Sequence, residues 1–200
     1  MRYGSTLLLA ALMATGVVLS GCDSNQSGGG TMAVKLTDAP GDILEAEVTI
    51  ERVAAVRADN AGSGGATDGG TSVLTDSSVT VDLTRLQGGV TELMGEVQLN
   101  PGTYSQIRLK TARQATVMYE NSNGEAVEAD LRLPSASETG IKVNFDPVEL
   151  DSEGDRAEVT LDFSVEESFV EGGTTGTYTF KPVVDAEAVV VNGDTTSTGS

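Results

Sequence analysis

From Ala157 to Val165 every second residue is apolar: Val159, Leu161, Phe163 and Val165, with Thr160, Asp162 and Ser164 between them. A period of two is the spacing of side chains along one face of a β-strand, so this stretch forms a strand with one buried side. The same alternation returns at short intervals, separated by turn residues. Val34 and Leu36 mark a strand from Thr31 to Thr37, closed by Asp38-Ala39-Pro40-Gly41-Asp42. Ala46 to Ala58 starts with period two and shifts phase after Ile50, which predicts a β-bulge or a bend between sheets. Val97 and Leu99 precede Pro101-Gly102, and Ser105, Ile107 and Leu109 follow it, alternating with Gln106, Arg108 and Lys110. That pattern is strand, tight turn, strand.

Further along, Gln114 to Glu120 and Glu125 to Leu133 flank Asn121-Ser122-Asn123-Gly124, a hairpin turn. Val73-Leu74 with Val79, Val81 and Leu83 suggests another hairpin, and Ile141, Val143 and Phe145 a strand ended by Pro147. Leu86, Val90, Leu93 and Met94 sit at helical spacing and predict one short helix or helical turn between Thr84 and Gly95. Tyr178 to Val191 forms the last strand, where Pro182 requires an edge position or a bulge. Together these predict an all-β fold, a single Greek-key-type β-sandwich of about nine strands with one short helix. The expected organisation is a leader over residues 1–21, a flexible linker over 22–31, the sandwich over 32–191 and a disordered polar tail over 192–200.

The chain has no His, no Trp and one Cys among its 200 residues. Without His there is no Ser-His-Asp or Cys-His nucleophile and no imidazole metal site. Without a second Cys there is no internal disulfide, so the fold rests on its apolar core. Asp and Glu number 30 against 12 Lys and Arg, a net charge of −18. Residues 1–21 contain Arg2 and no acid, so the remainder carries −19. Such a charge repels phosphate backbones, and no nucleic-acid partner is expected.

The single cysteine ends the leader. Arg2 precedes an apolar stretch from Leu7 to Val18, which is too short to span a bilayer and suits a signal peptide. Leu19-Ser20-Gly21-Cys22 closes it and resembles the bacterial lipobox. In that family the cysteine thiol receives a diacylglycerol and the bond before it is cut. The resemblance implies lipid attachment at Cys22, with the membrane as a partner through that lipid and an extracytoplasmic location. Two or three acyl chains anchor far more firmly than one.

Acidic clusters suggest cation sites, each set against an ordinary role. Asp38 and Asp42 flank a Pro-Gly turn and offer oxygens suited to Ca²⁺, yet Asp residues in turns more often accept hydrogen bonds from their own turn backbone. Asp151-Ser152-Glu153-Gly154-Asp155 lacks the glycine and the terminal glutamate of a calcium loop, and reads as a solvated hairpin turn. Gly64 to Gly70 is one glycine-rich copy without stacking neighbours, hence a flexible loop. Arg108, Lys142, Asp162 and Lys181 lie in or beside strands, as cross-strand ion pairs or the lining of a polar cleft. No catalytic residue, no metal ligand and no cofactor is assigned.

Several stretches in order resemble a bacterial lipoprotein family, domain of unknown function 4382, across roughly residues 33–191. They are Leu36-Thr37-Asp38-Ala39-Pro40, Val48 to Val53, Leu99 to Leu109, Leu133-Pro134-Ser135 with Thr139 to Lys142, Leu161-Asp162-Phe163 and Tyr178 to Val183. The Leu99-Asn100-Pro101-Gly102-Thr103-Tyr104 element also resembles transthyretin-like (prealbumin-like) sandwiches. The family implies no activity and no functional residue. The expectation is a membrane-anchored, non-enzymatic module of the cell envelope with an envelope protein or glycan as partner. A calcium-stabilised adhesion module and a carboxylate-based hydrolase are the alternatives.

Overall fold

Alternating apolar side chains need a second apolar face to lie against, and here two sheets cover one another. A computed structural model describes residues 28–38, 43–61, 70–121, 123–171 and 178–196. Along them run β1 (Thr31–Thr37), β2 (Glu45–Arg57), β3 (Thr71–Thr75), β4 (Val79–Asp82), β5 (Glu92–Gln98), β6 (Gly102–Glu120) and β7 (Ala126–Arg132). There follow α1 (Pro134–Glu138), β8 (Ile141–Leu150), β9 (Arg156–Phe163), α2 (Val165–Ser168), β10 (Phe169–Glu171), β11 (Tyr178–Phe180), β12 (Val184–Val191) and β13 (Asp194–Thr196). The fold is an all-β sandwich with more strands than the sequence suggests, although β6 joins Ser105–Lys110 and Gln114–Glu120, which read as two strands, into one.

The first sheet has the order β13-β12-β9-β1-β5. Its centre is a parallel pair, β1 with β9, in register from Thr31 opposite Arg156 to Thr37 opposite Asp162. Met32, Val34 and Leu36 from β1 and Val159, Leu161 and Phe163 from β9 point into the core. The second sheet is built on the long antiparallel pair β2–β6. Both of its edges are made of two pieces. β4 and then β3 pair with successive parts of β2, and β8 and β7 pair with successive parts of β6. Ala46, Val48, Ile50, Val53, Ile107, Leu109, Val117 and Val143 face the first sheet from this side.

The Pro101-Gly102 turn carries the chain from β5 in the first sheet to β6 in the second. Tyr104 is fully buried below it, and its hydroxyl donates to the carbonyl of Asn100 at 2.8 Å. Gly102 has φ 151°, and a Cβ there would meet the Arg57 guanidinium. Arg57 in turn donates from Nη1 to the Pro101 carbonyl at 2.9 Å and lies 6.0 Å from the Tyr104 ring centroid. The turn is therefore held from inside and outside.

Several expectations need correction. Leu86, Leu93 and Met94 do not share a helix: Leu83–Leu86 is a single 3-10 turn, and Leu93 and Met94 belong to β5. Pairing with β1 overrides the local helical spacing. Val73-Leu74 and Val79 to Leu83 do not form a hairpin, because β3 and β4 both pair with β2. Pro147 does not end its strand. β8 runs on to Leu150, and the register slips between the Tyr104–Val148 and Gln106–Asn144 pairs, placing the proline in a bulge. Pro182 lies between β11 and β12 and separates what reads as one strand. The short α1 and α2 were not expected, and the linker and tail are shorter than the sequence suggests. Gly30 already accepts a hydrogen bond from Leu99, and after the turn at Asn192-Gly193 residues 194–196 pair with β12 as β13. The phase shift in β2 coincides with register slips around Ile50, as expected of a bulge.

Candidate functional site

Charge on the outer face of the second sheet is sorted by position. Ile107 and Leu109 point into the core, so their neighbours Gln106, Arg108 and Lys110 lie on the opposite face of β6. The register places Lys110 directly opposite Arg52 on β2, and Arg108 opposite Lys142 on β8. These are two like-charged cross-strand pairs on adjacent positions of one face. Like charges opposite one another are unfavourable, and two cations about 5 Å apart in water repel by roughly 1 kcal/mol. Arg113 and Arg132 extend the group and line a cleft of about 470 Å³ with Gln114 and Glu138. Six of the twelve Lys and Arg residues of a strongly acidic chain therefore share one half-face.

Among the described residues, Arg52, Lys110, Arg113, Arg132 and Lys142 form no ion pair, although all five are exposed. Three cations elsewhere are paired: Lys35 with Glu158 at 2.8 Å, Arg85 with Asp82 at 2.9 Å and Arg156 with Glu96 at 3.0 Å. Six acids of the same outer face gather at its other end, while Asp146 and Glu149 follow Lys142 along β8 and Glu138 lines the cleft. Glu45 and Glu47 on β2, Asp82 on β4, Glu120 on β6 and Glu128 and Asp130 on β7 surround Thr116 and Met118. One rim of the cationic half is roofed by the turn at Ala58–Asn60, where Gln106 donates to the Ala61 carbonyl at 2.9 Å and to Asn144 Oδ1 at 2.8 Å. That roof buries Ala54, Val56 and Gln106, which lie outside the inter-sheet core.

Asp38 joins parts of the fold that are distant in sequence. It is 3% exposed at the end of β1. Its Oδ1 accepts from the backbone N–H of Val165 at 2.9 Å, and its Oδ2 accepts from Gln87 Nε2 at 3.2 Å. The carboxylate ties the end of β1 to α2 and to the segment after the 3-10 turn; its own turn, residues 39–42, lies outside the described residues. Each oxygen already accepts one hydrogen bond, and Asp42 lies outside the described residues. Burial pushes the Asp38 carboxyl up to about 6, against the pull of the Val165 and Gln87 hydrogen bonds and with a further push from Asp162 and Asp82.

Asp155 bonds within its own turn, but that turn carries the chain from β8 in the second sheet to β9 in the first and closes no hairpin. Its Oδ2 accepts from Asp151 N at 3.0 Å and Ser152 N at 2.9 Å. These bonds to Ser152 and Asp151, with one from Asn192, hold the carboxyl below the usual range. Among the described residues no three carboxylates converge as a metal site. Arg108 and Lys142 are neighbours, but Asp162 lies in the other sheet and Lys181 between β11 and β12, so the four line no common cleft. Cys22 with Leu19, Ser20 and Gly21, and the Gly64–Asp68 portion of the glycine-rich loop, lie outside the described residues.

The family described as "Domain of unknown function (DUF4382)" matches residues 29–182. The chain belongs to this family. The match runs from before β1 to Pro182 and so takes in the whole second sheet with its divided face. No curated protein and no solved structure is significantly similar to the chain. The DUF4382 description names no activity, and the chemistry of the face has to be argued from its own residues.

Proposed function

We propose that this DUF4382 protein is a lipid-anchored, extracytoplasmic, non-enzymatic binding module of the bacterial cell envelope. The observation that carries the anchor is the position of the only cysteine, directly after Leu19-Ser20-Gly21 at the end of an apolar leader. The leader's apolar stretch is too short to remain as a membrane span, and no described helix is long and apolar enough to cross one. A thiol acylated at Cys22 supplies the attachment that the sandwich itself lacks. Binding, rather than catalysis, is the role that suits the described surface. It offers a broad charged face, and its most perturbed carboxyl, Asp38, is already engaged on both oxygens inside the fold.

The anchor is tested by expressing the full chain in a bacterial host and measuring the intact mass and the N-terminal residue of the mature protein. The expected product begins at Cys22 and carries the mass of diacylglycerol and further acylation. Cys22→Ser is expected to move the protein from the membrane fraction to the soluble one. An unmodified Cys22, or cleavage at another bond, refutes the anchor.

A further inference from the structure

We infer that the cationic half of the second sheet's outer face binds a linear polyanion, a polymer bearing phosphate or carboxylate groups, laid across the strands from β2 to β8. The inference names the ligand for the binding role proposed above and rests on that reading. Its starting point is an arrangement that local pairing within the described chain leaves uncompensated. Arg52, Lys110 and Lys142 are exposed and unpaired among the described residues, on three adjacent strands. Adjacent strands are about 4.8 Å apart, and residues two apart along a strand are about 6.6 Å apart. Arg52 and Lys110 stand side by side on neighbouring strands, and Lys142 lies one strand farther and two residues along. The three make a diagonal band about 10 Å across, long enough to meet several successive anionic groups of an extended polymer. The cleft formed by Arg113, Gln114, Arg132 and Glu138 lies beyond Lys110 on β6 and can take a further anionic group between its two guanidinium forks.

The shape of the charge distribution selects a linear ligand over a flat one. Glu45, Glu47, Asp82, Glu120, Glu128 and Asp130 occupy the other half of the same face. An anionic membrane surface laid on this face meets those six acids together with the cations and gains little net attraction. A narrow polymer crossing the strands at Arg52, Lys110 and Lys142 passes clear of those six acids and meets Glu138 only where it enters the cleft. A second copy turned by half a revolution would set acids on cations. That contact, however, buries charges around no apolar centre, a composition that stable interfaces avoid. The net charge elsewhere on the molecule repels polyanions, which confines binding to this band.

The test uses the full-length chain with two defined probes, linear polyphosphate and polygalacturonate, with binding measured by titration calorimetry. Both are expected to bind at about 50 mM salt and to lose roughly tenfold or more in affinity by about 300 mM, as counterion release requires. If only one of the two binds, it identifies the anionic group, phosphate or carboxylate, and the inference stands. The triple variant Arg52→Gln, Lys110→Gln, Lys142→Gln is expected to weaken binding at least tenfold with an unchanged circular dichroism spectrum. Lys35→Gln and Lys181→Gln, which remove charge elsewhere, are expected to leave affinity within twofold. A separate double variant, Arg113→Gln with Arg132→Gln, reports the cleft's share by the same loss.

The inference is overturned if neither polymer binds, or if the Lys35 and Lys181 variants weaken binding as much as the triple variant. It is equally overturned if vesicles containing phosphatidylglycerol bind while both polymers do not, or if the face instead drives salt-sensitive dimerisation seen by sedimentation. None of these measurements depends on lipid at Cys22. Failure of polymer binding therefore leaves the anchor standing, and failure of the anchor leaves polymer binding to be judged on its own.

Discussion

Asp38 makes a sharp statement about how stability should vary with pH. The folded protein holds this proton more tightly than the unfolded chain, because burial raises the carboxyl from its ordinary 3.8 to about 6. The folded state therefore binds more protons between those values, and stability falls as pH rises through that window. At roughly 1.4 kcal/mol per tenfold difference in proton affinity, the ionised carboxylate costs about 3 kcal/mol once the pH is above 6, and about 1 kcal/mol near pH 4.5. Asp38→Asn removes the charge and keeps the shape. Its Oδ1 can still accept from Val165 N–H, and Gln87 can turn its amide to accept from the new Nδ2. The asparagine variant is therefore expected to be more stable than the parent by roughly 3 kcal/mol near pH 7.5 and by only about 1 kcal/mol near pH 4.5. Urea unfolding of both proteins at the two pH values measures it, and taking the difference between them cancels the titration of the other acids. Asp38→Ala is the contrasting variant. It leaves the buried Val165 N–H without its acceptor, at a cost of about 1–3 kcal/mol. A stability difference between parent and Asp38→Asn that does not change with pH would refute the reasoning.

Tyr104→Phe removes the hydroxyl bonded to Asn100 and is expected to lower stability by about 1 kcal/mol without altering the fold, read as a shift in urea midpoint at constant slope. Phe163→Ala empties a fully buried site that packs against Phe180 at 6.0 Å between ring centroids, and should cost about 3–5 kcal/mol. Leu93→Ala, at a site 53% exposed, should change stability by no more than about 0.5 kcal/mol, and chemical unfolding of the two variants side by side checks the contrast.

What could be read from the residues depended on how local the cause was. The alternation in β9, the phase shift in β2 and the Asn121–Gly124 hairpin are set by neighbours in sequence, and the structure has all three. Thr84 to Gly95 misled because four apolar residues at helical spacing say nothing of the β1 edge waiting to pair with them. β3 and β4 looked like partners for one another because a strand broken in two resembles a hairpin unless the third strand, β2, is known. The parallel pairing of β1 with β9 joins residues more than a hundred positions apart and leaves no trace in either segment. The charged face was illegible for the same reason. Arg108 and Lys110 stand out in the sequence, but only the register brings Arg52 and Lys142 beside them. The bond that Asp38 accepts from Val165, 127 positions on, leaves no trace in the residues around it.

The placement of β1 bears on how the domain carries load. Any pull transmitted through the residues before Gly28 enters the fold at Thr31, the first residue of a strand held on both sides, by β9 and by β5. Drawing β1 out along its own axis slides it past two neighbours at once. The rungs of both ladders, which lie across the direction of pull, must then give way together rather than one after another. A strand at the sheet's edge tugged sideways would peel open rung by rung under far less force. With the proposed anchor at one end and the inferred polymer held on its other sheet, the sandwich would act as a mechanical link that resists shear.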